Sequence, residues 1–268
     1  MAATQDSRSL AVFCDFENIA LGVREAKYAQ FDMGKVLERL LLKGSIVVKK
    51  AYCDWERYKE FKATMHAAAF ELIEIPHVRQ SGKNSADIRM VVDALDLCYT
   101  KSHVDTFVIV SGDSDFSPLV SKLRENAKTV IGVGVKNSTS DLLIANCDEF
   151  IYYDDLVREE EAKRRAARKR KEARPAVGPK EAAAGEDKKQ EALDLILETV
   201  EALNAERGEG ERIWGSMVKQ ALKRRKPEFN ESYYGFRAFS DLLEEAEKRN
   251  LLSLERDEKS GGYIVRTA

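Results

Sequence analysis

Short apolar runs alternate with amphipathic stretches along the first half of the chain. LAVFCD (Leu10–Asp15), SIVVKKAYC (Ser45–Cys53), ELIEIPH (Glu71–His77), TFVIVS (Thr106–Ser111), TVIGVGV (Thr129–Val135) and EFIYY (Glu149–Tyr153) have the length and β-branched content of strands. Between them, MGKVLERLLLK, WERYKEFKATMHAAAF, SADIRMVVDALDLCYTK and SPLVSKLRENA repeat apolar residues at i, i+3 and i+4. That is the period of helices laid on a sheet. The alternation predicts an α/β domain over residues 1–156, a parallel sheet flanked by helices.

The pattern then breaks. Residues 157–190 hold almost no large apolar side chain, two prolines and blocks of like charge. They read as a solvated helix running into a flexible linker, with the cluster Lys163–Lys171 as a basic arm in the alternative reading. Periodicity returns in residues 191–268. EALDLILETVEALNAE, WGSMVKQALKRRKPEF and YYGFRAFSDLLEEAEKRNLL are three amphipathic helices, the second stopped by Pro227. LSLERDEKSGGYIVRTA follows as a hairpin turning at Ser260–Gly262. Three helices and a hairpin describe a small winged helix-turn-helix domain.

Composition narrows the classes. The chain has 268 residues, is 44% hydrophobic and 34% charged, and carries a formal net charge of -2. It can therefore bury a core, but it gives no global signal for a polyanion or a membrane, so any basic surface is local. Asp15 interrupts the apolar start too early for a signal peptide, and no window approaches the ~20 residues of a membrane span. The expectation is a cytoplasmic protein that does not engage membranes. Cys14, Cys53, Cys98 and Cys147 are scattered without a C-x-x-C pair, and His66, His77 and His103 lack metal spacing. Buried reduced thiols are expected, not a zinc site or disulfides.

The chemistry gathers at strand ends. In parallel sheets, ligands sit beyond the carboxyl ends of the strands. The first strand ends at Asp15 and the fourth runs into Ser111-Gly112-Asp113-Ser114-Asp115. If these two strands are neighbours, Asp15, Asp113 and Asp115 share one crevice, and Asp87, opening the helix before the fourth strand, overhangs it. Carboxylates gathered without basic partners must hold protons or a cation. Such hard oxygen donors suit Mg²⁺ or Mn²⁺, which could activate water for attack on a phosphoryl group. Each acid taken singly also reads as a helix cap, Asp115 before Ser117-Pro118 above all. Asn18 and Ser111 are placed to orient the carboxylates or to meet substrate. Arg79 and Lys83 in the loop before Asp87, and Lys136 after the fifth strand, are candidates for phosphate contact. The stretch NSTSDLLIANC could open a helix with its amides toward a phosphate. Asp93 and Asp96 read as solvated positions.

With these residues in place, residues 10–156 resemble the NYN domain, a PIN-like nuclease group related to the flap nucleases. The resemblance rests on FCDFENI around Asp15 and Asn18, GKNSADIRMVVDAL around Asp87, and VIVSGDSDFSPLV around Asp113 and Asp115. It implies a PIN-like sheet and an Mg²⁺- or Mn²⁺-dependent endoribonuclease acting on RNA, single-stranded or structured, with Asp15, Asp87, Asp113 and Asp115 as metal ligands and catalytic acids. Residues from about Gln190 are similar to an OST-HTH/LOTUS domain, carried by WGSMVKQALKRRKPEFN and YYGFRAFSDLLEEA. That resemblance implies RNA binding, or a protein partner or self-association through this domain. Lys219, Lys223, Arg224, Arg225 and Lys226 form its basic patch, with Tyr233, Tyr234 and Arg237 available for stacking or phosphate contact. Phe229, Phe236 and Phe239, by contrast, are expected to pack its core.

Two other readings use the same residues. In a non-catalytic RNA-binding adaptor, the acids cap turns or hold a structural cation. In a response-regulator receiver, Asp15, Asp113 and Lys136 would form the phosphoacceptor site, but Asp87 and the doubled acid at 113 and 115 would have no role.

Overall fold

The first strand, β1 (Arg8–Asp15), is buried from Leu10 onward because it lies at the centre of a sheet covered on both faces. In a computed structural model describing residues 8–28, 30–75, 85–172, 183–208, 211–257 and 260–267, the chain divides into two units, Asp6–Glu172 and a second from Ala173 to the C-terminus. The first unit is a six-stranded parallel sheet of β1, β2 (Gly44–Cys53), β3 (Glu71–Glu74), β4 (Thr106–Val110), β5 (Thr129–Gly134) and β6 (Glu149–Tyr152), in the order β3-β2-β1-β4-β5-β6. Every expected strand is present, and the parallel sheet flanked by helices agrees with the predicted fold class. The run Glu71–His77 is strand only to Glu74, and Pro76–Asn84 lie outside the described residues.

Side chains alternate between two cores, as the two-residue period of a strand requires. On one face Leu10, Val12 and Cys14 pack with Phe16 and Ile19 of α1 (Phe16–Glu25) and Met33, Val36 and Leu40 of α2 (Met33–Lys43). Met65 of α3 (Lys59–Ala67) joins the same core. On the other face, Ala11 and Phe13 meet Met90, Ala94 and Cys98 of α4 (Ser85–Thr100). Leu119, Val120 and Leu123 of α5 (Ser117–Glu125) and Leu143 of α6 (Asp141–Asn146) complete that layer. Helix α7 (Tyr153–Glu172) carries the charged segment forward from the sheet. Its start is anchored by buried Tyr153 and Leu156, and Lys35 and Arg39 of α2 pair with Glu160 and Glu159. All four cysteines are free, three of them buried.

The second unit holds α8 (Ala183–Arg207), the two-residue β7 (Ile213–Trp214), α9 (Gly215–Arg225), α10 (Phe239–Lys248), β8 (Leu252–Arg256) and β9 (Tyr263–Thr267). The expected hairpin gains a third strand, giving the antiparallel order β7-β9-β8. Helix α10 begins at Phe239, not Tyr233, because Ser232–Gly235 close a turn and Gly235 adopts φ +84. Phe229, Phe236 and Phe239 are buried, as expected. Among the described residues no helix is long and apolar enough to cross a membrane.

Candidate active site

The reversal of strand order falls between β1 and β4, which pair in register from Leu10↔Thr106 to Cys14↔Val110. Asp15 and Ser111 are the next residues on each strand. They therefore stand side by side at the carboxyl edge, where an open α/β sheet leaves a crevice. The Ser111 hydroxyl donates to Asp15 Oδ2 at 3.0 Å and accepts from the Asp113 amide at 3.2 Å. Asn18, in the first turn of α1, accepts the Gly112 amide on its side-chain oxygen at 2.8 Å and gives its own amide to Asp15 Oδ1 at 3.3 Å. One network thus locks the end of β1 to the loop after β4.

The cap reading holds for two of the four acids. Asp15 caps α1, and Asp113 caps the short 3-10 turn Ser114–Phe116 by accepting the Asp115 amide at 3.0 Å. Capping uses Oδ1 of each carboxylate, and Oδ2 of Asp15 takes the Ser111 hydroxyl. Asp115 is exposed, and neither of its oxygens caps α5. Asp15 is only 8% exposed. Its pKa is pushed up to about 7, first by burial and then by the charge of Asp87, against the pull of the Asn18 amide and Ser111 hydroxyl. Asp87, on the first turn of α4, is raised to about 6 by burial and then by Asp113, Asp115 and Glu17. Asp15 thus senses the charges of Asp87 and Asp113, and Asp87 those of Asp113 and Asp115. None of them forms an ion pair among the described residues.

Hard, mutually repelling carboxylates with no cationic partner are the donor chemistry of a divalent-ion site, so the residues fit Mg²⁺ or Mn²⁺. As the side chains stand, no three Asp, Glu, His or Cys among the described residues form a ready grip on an ion. Glu17, two residues beyond Asp15, is an acid that strand-end reasoning overlooked. It reaches Asp87 electrostatically and pairs with Arg57 at 2.9 Å.

The other candidates separate. Arg79 and Lys83 lie outside the described residues. Lys136 is exposed at the carboxyl end of β5, with its amide on Asp154 at 2.8 Å and its ammonium 5.8 Å from the Tyr152 ring. The helix in NSTSDLLIANC starts at Asp141 under a Ser140 cap and is only six residues long. Asp93 is not a solvated position. It is a part-buried acceptor for Tyr52 at 2.8 Å and a partner of Lys50 and Arg89. In the second unit, Arg225 is spent on structure, bonding Glu198 at 2.6 Å and Thr199 at 3.3 Å, and Lys219 pairs with Glu231 at 2.9 Å. Lys223, Lys226 and Arg237 are exposed, and Arg224 is half-buried. Tyr233 is also exposed and carries the Lys188 ammonium 4.3 Å from its ring centre.

A family model described as NYN domain matches residues 9–154. An uncharacterized protein of Methanocaldococcus jannaschii is 28% identical over 117 residues, 44% of this chain and 45% of that protein. The chain thus spans less than half the length of that relative. The crystal structure of a protein of unknown function from Vibrio parahaemolyticus matches with a TM-score of 0.51 and 28% identity, over 57% of this chain and 97% of its own.

Proposed function

This chain belongs to the NYN family through residues 9–154, a family generally of ribonucleases, and from that premise we propose that it is a metal-dependent endoribonuclease. The supporting observation is the coupling of Asp15, Asp87, Asp113 and Asp115 around the β1–β4 crevice, with two of them raised toward neutrality. In this reading the four carboxylates hold Mg²⁺ or Mn²⁺. Bound there, such a cation would neutralise charge at the phosphoryl oxygens and acidify water. Ser111 fixes the rotamer of Asp15, and Asn18 holds the Gly112 peptide, so the carboxylates meet substrate with little reorganisation. Lys136, on the same sheet edge, and Arg79 and Lys83, before Asp87 in the chain, supply positive charge for the neighbouring phosphates. The second unit is proposed as an RNA-binding module of OST-HTH/LOTUS type, using Lys223, Arg224, Arg237 and Tyr233. Phosphate contacts there should make affinity fall with salt.

The test is cleavage of end-labelled single-stranded RNA with Mn²⁺, comparing wild type with Asp113→Asn. Losing an orienting residue beside a metal costs roughly 10–100-fold, so losing a ligand should cost at least about 100-fold, and a chelator should abolish cleavage. Equal rates for the two proteins would overturn the assignment. RNA binding without turnover under any divalent ion would make the chain an RNA-binding adaptor instead.

A further inference from the structure

Helix α4 buries Met90, Ala94 and Cys98 against the sheet, and its solvent side carries an apolar stripe flanked by Arg89 and Asp96. Ile88, Val92 and Tyr99 are 63%, 56% and 65% exposed, and Leu95 is half-buried between them. Their spacing of four, three and four residues is a d-a-d-a stripe, the seam of a paired helix. Among the described residues, a shallow groove on this face is lined by α4, Ile88, Arg89, Val92, Asp93 and Asp96 included. In the same frame Arg89 and Asp96 both fall at e positions, seven residues apart. Arg89 uses its Nε on Asp93 at 3.0 Å, which leaves its terminal nitrogens for another acceptor, and the Asp96 carboxylate has no ion pair among the described residues.

We propose that this stripe is a homodimer interface in which two copies of α4 pack antiparallel about a two-fold axis. The charges select the orientation. Antiparallel helices set e against e, so Arg89 of one copy meets Asp96 of the other, and the symmetry repeats the pair. The register that does this also layers Val92 on Leu95 and Ile88 on Tyr99. A parallel pair would set e against g, and the g positions are half-buried Val91 and buried Cys98, which carry no charge. Two 16-residue helices bury little area, below the ~1,200 Å² of stable complexes, so the dimer is weak and concentration-dependent. The proposal is independent of the nuclease reading.

Sedimentation of the full chain should show monomer giving way to dimer between about 1 and 100 μM. Asp96→Arg alone and Arg89→Asp alone place like charges opposite each other twice, and each should stay monomeric where wild type pairs. Mixed in equal amounts, the two variants face each other with two opposite-charge pairs, and the dimer should return. Val92→Asp, on the exposed seam, should be monomeric with an unchanged circular dichroism spectrum, which keeps the test sharp if Arg89→Asp is poorly folded. A wild type that stays monomeric throughout overturns the proposal, whatever else covers the face. So does a dimer indifferent to Asp96→Arg and Val92→Asp, which would put self-association elsewhere in the chain.

Discussion

Asp87 and Asp15 show what one carboxyl carries when its neighbours share its sign. Their values of about 6 and about 7 lie above the ordinary 3.8, so the folded protein binds these protons more tightly than the unfolded chain does. That contribution is complete below about pH 4 and is lost as pH rises through about 6 and about 7. Without a cation, the acids therefore destabilise the neutral-pH fold. Asp87→Asn removes one charge from the set and should stabilise the metal-free protein at pH 8. A shift of about two units corresponds to ~3 kcal/mol, reduced by solvent at this partly open position to ~1 kcal/mol, or roughly 2–4 °C in Tm. Thermal melts at pH 8 and pH 3.5 check this, since the gain should vanish at the lower pH. At this scale the sequence placed Asp15 at a strand end and Asp87 in the first turn of a helix, where the structure has them, because an element end is a local feature. It misread Asp93, whose partners Tyr52 and Lys50 are some forty residues away. It also offered Arg225 as substrate-binding surface, whereas Glu198 on another helix claims it.

At the scale of elements, the site depends on how closely the loop after β4 is pressed onto its neighbours. A Cβ at Gly112 would lie 2.4 Å from the Ser138 carbonyl oxygen and 3.0 Å from Thr139 Cα, both backbone atoms that cannot swing aside. The same residue gives its amide to Asn18 and accepts the Ser140 amide at 2.9 Å. Gly112→Ala must therefore push the loop out and break part of the Asp15–Ser111–Asn18 network. We expect a loss of ~1–3 kcal/mol, of the order seen for overpacked sites, measured by urea unfolding, together with reduced RNA cleavage. A neutral result on both counts would show that the contact can relax. The strands and most helices of the first unit were legible from period, whereas α8 begins eight residues before, and α10 six residues after, the start their periodicity marked. Phe16–Glu25 went unread: FENIALGVRE continues directly from the first strand, and only the Asp15 cap marks the change from strand to helix.

On the scale of the whole molecule, the two units have separate cores and separate sheets. The Vibrio parahaemolyticus protein, matched over 97% of its length by 57% of this chain, indicates that a fold of this size can stand alone. A fragment of residues 1–172 should accordingly unfold in one cooperative transition, whereas 1–156 should be less stable, having lost the α7 turns whose Glu159 and Glu160 pair with α2. Denaturant titration of the two fragments checks this, and equal stability would refute a role for α7. By itself, the sequence determined the alternation of strands and helices in the parallel sheet, and that Asp15 and Asp87 fall at element ends. These follow from periodicity and from chemistry at element ends, both written in neighbouring residues. Only the tertiary structure decided that β1 lies beside β4, that Ser111 and Asn18 tie the crevice together, that Arg225 is internal, and that α4 keeps an apolar stripe in solvent. Each is a contact or an exposure set by residues far apart in the chain, and local pattern carries no record of which distant surface a side chain will meet.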